Sequence, residues 1–164
     1  MDPHLQPIEL AFKSQESALS LREALRIHRA HIPELVEVED EPQDALQELF
    51  AGHDVVHCLW GLGTTVGEEI RVDLYSLFGT TIGLRRYWAY ITHPVVTKVI
   101  KETTPLAAVP AILISLCRLP WIWLNTRRMQ RWDFDGWRIH LERPLCEIRA
   151  EYEIRVDTVA FAQR

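Results

Sequence analysis

The chain has 164 residues, a length suited to one domain, and 48% hydrophobic content is enough for a real core. A formal net charge of −5 argues against bulk binding of nucleic acid. Three cysteines, Cys58, Cys117 and Cys146, are an odd number with no short spacing, which excludes a disulfide framework and a cysteine zinc site and points to a reducing compartment.

The N-terminus reads Met1-Asp2-Pro3-His4 and has no apolar signal core. No segment reaches the roughly 20 clean apolar residues of a spanning helix. The nearest, Leu106 to Leu124, is broken by Pro110, Arg118 and Pro120. The expectation is a single cytoplasmic domain over 1–164. Residues 15–31 read as a first helix capped at Ser14, with Ala18, Leu21 and Leu25 on one face. His28 and His31 lie at its end and read as surface residues. An acidic run follows, with Glu34, Glu37, Glu39, Asp40, Glu41, Asp44 and Glu48, and reads as a solvated loop and helix start. A helix begins near Pro42 and either stops at Gly52 or continues to about Gly61. The next starts around Thr65 and runs to about Phe78. Residues 84–102 read as helical around a kink at Pro94, and 106–128 as helical with two prolines. A turn follows at Asp133-Phe134-Asp135-Gly136, and a last helix covers about 144–153. Strand signals over 138–141 and 155–161 are weak. The fold class is all-α.

The chemistry concentrates in seventeen residues, from His53 to Glu69. His53 and His57 are spaced i, i+4, so they share one helix face. Asp54 lies on an adjoining edge, although after Gly52 it would also serve as a helix cap. Glu69 follows His57 after eleven intervening residues, and Gly61, Gly63 and Gly67 between them allow a sharp return. Two imidazoles and two carboxylates form a ligand set for a divalent metal: zinc first, with iron, manganese or magnesium compatible. Glu68 and Glu69 point about 100° apart on a helix, so only one of them coordinates.

The pattern His53-Asp54-Val55-Val56-His57, eleven residues, then Glu69 resembles the metal motif of the Coq-four family of ubiquinone-biosynthesis proteins. Gly61 stands at a familiar distance. Glu142-Arg143-Pro144-Leu145-Cys146-Glu147-Ile148-Arg149-Ala150-Glu151-Tyr152-Glu153-Ile154 is similar to the family's closing segment. The likeness covers about 45–154 and suggests a short, bacterial-type member serving ubiquinone, another quinone or a specialised-metabolite pathway. It implies an all-helical fold, a bound metal on His53, Asp54, His57 and Glu69, and a pocket for a prenylated quinone precursor or other hydrophobic molecule. It further implies removal of a ring carboxylate with oxidation at that carbon, biosynthetic enzyme partners, and peripheral contact with the inner face of a membrane. In that scheme the tail lies along Leu74, Phe78, Ile112 and Leu116, and Arg85 and Arg86, or Arg127 and Arg128, meet an anionic head group. Homodimerisation stays open.

Two other readings fit the same residues. A lipid-binding scaffold would hold the metal structurally, and Trp121-Ile122-Trp123 with the arginines Arg118, Arg127, Arg128 and Arg131 would suit a partner or membrane surface. A His-Asp type phosphohydrolase would need His28 or His31 as the upstream histidine and Asp133 or Asp135 as the distant aspartate.

Overall fold

The computed structural model describes residues 11–30, 44–94 and 109–157. They form seven α-helices and no named strand: α1 (Leu21–Arg29), α2 (Ala45–Trp60), α3 (Val66–Gly79), α4 (Leu84–Ile91), α5 (Val109–Cys117), α6 (Leu119–Thr126) and α7 (Leu145–Tyr152). A 3₁₀ turn covers Gly136–His140. The protein is all-α, and no helix among the described residues is long and apolar enough to cross a membrane.

The first helix starts at Leu21, later than the cap at Ser14 implies. Ser20 and Glu23 form a reciprocal capping box, which satisfies two free N–H groups at once and defines the start more strongly than a lone serine. The Leu21 and Arg22 amides donate to the Arg143 and Leu141 carbonyls, so the head of α1 is docked on the chain that leads into α7.

The second helix, α2, is capped by Asp44, whose side chain accepts from the Leu46 and Gln47 amides. It passes through Gly52 without a break. Glycine is needed there because a methyl group would lie 2.5 Å from Cε1 of Phe134. The helix ends at Gly61, in the left-handed region at φ 67°, where its amide donates to the His57 carbonyl. Thr65 and Glu68 form a second capping box and start α3.

The 106–128 region is two helices that meet at Arg118, with Pro120 in the first turn of α6. Both pack on α3, and the Ser115 hydroxyl donates to the Gly67 carbonyl at 3.0 Å. The helix α4 ends at Ile91, before Pro94; residues 95–108 lie outside the described residues, as do most of the acidic run and His31. The weak strand signal at 138–141 falls in the 3₁₀ turn, and 155–157 carry no regular structure.

The core joins α1, α2, α3 and α7 through Leu21, Leu25, Val55, Leu59, Val72, Leu145 and Ile148, with Trp60, Trp132 and Trp137 closing it. Burial of this apolar surface is the main stabilising term. Because Gly52 precedes His53, its contact with Phe134 also sets how α2 lies at the site. Gly52→Ala is expected to cost about 1–3 kcal/mol in urea unfolding, as overpacking does. Phe134→Leu in the same chain should recover part of that loss; an unchanged midpoint for Gly52→Ala would show that the ring moves aside freely.

Candidate metal centre

Helices α2 and α3 face each other across the turn at Gly61–Gly63. His53 and His57 project from α2 and Glu69 from the first turn of α3. Glu69 Oε2 lies 3.5 Å from His57 Nε2 and 3.9 Å from His53 Nε2. One donor atom from each of these three residues lies within 4.8 Å of the other two, so the group can hold a metal ion. Glu68 is occupied elsewhere: it completes the Thr65 capping box and pairs with Lys13. That division of labour leaves Glu69 for the site.

The second nitrogen of His57 fits the same purpose. Nδ1 lies 3.3 Å from the Leu62 carbonyl, which would accept its proton and leave Nε2, on the Glu69 side, for an ion. The left-handed turn at Gly61 is what brings the Leu62 carbonyl beneath the ring. The donor set is one carboxylate and two imidazoles, typical of zinc or iron.

Asp54 turns toward α1. Its Oδ2 accepts from Arg29 Nε at 2.8 Å, and its Oδ1 lies 3.8 Å from His28 Nε2. Asp54 stands in the middle of α2, so it is not a cap. Burial outweighs Arg29 and the two site histidines and raises its carboxyl above the usual range. His28 is a correction to the surface reading: it is 5% exposed and stacks on His57, with ring centroids 4.5 Å apart.

Asp73 was not singled out by the motif, yet its Oδ1 lies 3.7 Å from His53 Nε2. A sequence signal existed, since Asp73 follows Glu69 by four residues just as His57 follows His53. Tyr87 and Tyr90 on α4 pack beside His53, and the Tyr90 ring lies 5.7 Å from that of His53. Burial by itself would depress His53, but the adjacent Asp73 carboxylate and the charges of Glu69 and Asp54 outweigh it and push the imidazole up to about 9. Partial burial alone would raise Glu69, yet His57 and His53 outweigh it and hold the carboxyl below the ordinary range.

The four arginines expected at a head group do not join this cluster. Arg86 is held by both oxygens of Asp135 at 2.7 Å, and Arg127 lies 4.5 Å over the Trp123 ring. Arg85 and Arg128 are exposed. Asp133 and Asp135 also stand apart from the cluster, with Asp133 accepting from Thr81. Comparison of the chain with protein-family models, with curated proteins and with solved structures gives no match.

The raised His53 value has a consequence for the metal-free chain. Its folded value of about 9 exceeds the ordinary 6.5, so protonated His53 stabilises the fold. That contribution is complete below about pH 6.5 and disappears as the pH rises through about 9. In chelator-treated protein, the stability of the wild type relative to His53→Gln should therefore fall between these limits in urea denaturation. A difference that stays flat across the range would contradict the assignment.

Proposed function

We propose that this chain is a metal-dependent protein that acts on a hydrophobic aromatic acid, in the manner the Coq-four resemblance implies. The observation that carries the reading is the convergence of His53, His57 and Glu69 from two facing helices, with His57 oriented by the Leu62 carbonyl. A divalent ion held there would supply Lewis acidity toward a carboxylate or phenolate. The residues do the rest. His53 and His57 must present neutral imidazoles, so binding displaces the proton that His53 otherwise retains. Glu69 is 39% exposed, so the cluster is reached from the α3 side.

The hydrophobic substrate is what the resemblance implies. Leu49, Ile82, Tyr87, Tyr90 and Phe134 pack around His53 and give it an apolar setting, and Leu74 and Phe78 are partly buried on α3. Arg85 and Arg86 begin α4, the helix that carries both tyrosines; Arg86 is engaged by Asp135, so this reading assigns the acidic group to Arg85. A prenylated quinone precursor combines these properties, and oxidative decarboxylation of its ring is the reaction the resemblance suggests. Partner enzymes belong to the same reading. The phosphohydrolase reading gains His28 beside the site but finds neither Asp133 nor Asp135 in the cluster.

One further observation favours the reading of a lipid-binding scaffold. Leu113, Leu116, Trp121, Trp123 and Leu124 are exposed along α5 and α6, and Arg118 and Arg127 lie over the two tryptophans at 5.1 and 4.5 Å. Aromatic and basic residues of this kind suit a membrane interface.

Elemental analysis of the untagged protein should find about one metal per chain, and His57→Ala should lose it. Iron would favour oxidative chemistry. Wild-type protein that remains metal-free after reloading would end the reading. Sedimentation with anionic vesicles, abolished by a double Trp121→Ser, Trp123→Ser change while metal content is normal, would support the scaffold.

A further inference from the structure

The motif places an aspartate directly after the first histidine, but the structure puts a different one beside that ring. We infer that Asp73 is the fourth protein ligand of the ion, and that Asp54 is a structural anchor for Arg29 and His28. The inference rests on the metal-dependent reading of the same site.

Three observations carry it. The first is register. His53 and His57 occupy two successive turns of α2, and Glu69 and Asp73 occupy two successive turns of α3. Two imidazoles therefore face two carboxylates, pair against pair. The separations along this set are 3.5 Å for His57–Glu69, 3.9 Å for His53–Glu69 and 3.7 Å for His53–Asp73. Four donors at tetrahedral zinc distances stand about 3.3–3.5 Å from one another. Asp73 lies beside His53 but outside the three-residue group whose donors are within 4.8 Å of one another, so its side chain must turn inward to bind.

The second observation is the state of Asp54. One of its oxygens accepts from Arg29 and the other faces His28, so both are turned to α1. The Arg29 side chain is only 11% exposed. Turning Asp54 to an ion would leave a largely buried guanidinium without this carboxylate, and breaking a buried pair is strongly destabilising.

The third observation is the state of Asp73. No arginine or lysine pairs with it among the described residues, and it is 33% exposed, on the open side of the cluster. Charge balance agrees: Glu69 and Asp73 together neutralise a divalent ion, while Asp54 already neutralises Arg29.

The test is titration of the untagged full chain with Co²⁺ alone, following its visible absorption, which reports the ligand set as well as the affinity. Asp73→Asn should weaken binding by more than about 100-fold, beyond the 10–100-fold typical of a residue outside the ligand set, and should change the spectrum. Asp54→Asn, where circular dichroism shows it folded, should keep the wild-type spectrum. Wild-type affinity and spectrum in Asp73→Asn would overturn the inference and leave the metal site standing. Loss of the wild-type spectrum in folded Asp54→Asn but not in Asp73→Asn would do the same. No Co²⁺ binding by the wild type would overturn both. If Asp54→Asn does not fold, the Asp73→Asn arm decides by itself.

Discussion

One buried guanidinium holds this fold together. Arg149, on α7, is fully buried and donates to the carbonyls of Leu59, Cys58, Phe12 and Ser14. Two of these carbonyls belong to the last turn of α2, where a helix has no backbone partners for its C=O groups and carries partial negative charge. The other two belong to the segment before α1. Burial lowers the Arg149 value to about 10, so it stays protonated and its charge is met by carbonyl dipoles. His57 lies in the turn that Arg149 holds. The C-terminal helix thus sets where a candidate ligand some ninety residues earlier stands.

A second buried charge fixes the helix opposite. Asp157 pairs with Arg71 at 2.9 Å and Arg118 at 3.0 Å and accepts from Tyr75 at 3.2 Å. Arg71 and Tyr75 lie on α3, and Arg118 lies between α5 and α6. The cluster clamps the back of α3 while Glu69 and Asp73 occupy its front. Such groups cost desolvation, and their satisfaction by several partners makes the arrangement specific. With α2 held by Arg149 and α3 by Asp157, the facing turns of the candidate metal centre are built from rigid elements, which is what precise ligand geometry requires.

Much of this was legible in the chain. The helices around the site carry local signals that agree with one another: the start near Thr65, Gly61 as a stop, and the i, i+4 histidines; the Asp44 cap, two residues beyond the expected start at Pro42, was hidden in the acidic run. Other signals were local but outvoted. Ser14 is a plausible cap, yet the reciprocal Ser20–Glu23 pair starts α1. His28 sits near a helix end, where exposure is common, but α1 packs on α2 with that end turned inward, so the ring is buried against His57. The alternation at 138–141 is too short to form a strand without a partner.

The sequence by itself determined the helical class, the helix that starts near Thr65, the return at Gly61 and the grouping of His53 and His57 with Glu69; it left open whether the histidine helix runs through Gly52. These follow from periodicity and caps, which act within a few residues. Only the tertiary structure decided which aspartate stands beside His53, because that depends on how α3 is rotated against α2 and on what α1 presents to the other side. Asp54 is next to His53 in the chain yet meets Arg29; Asp73 is twenty positions away yet meets the ring. Residues adjacent on a helix diverge by about 100°, so proximity in sequence does not place two side chains on one ion. Packing between helices does.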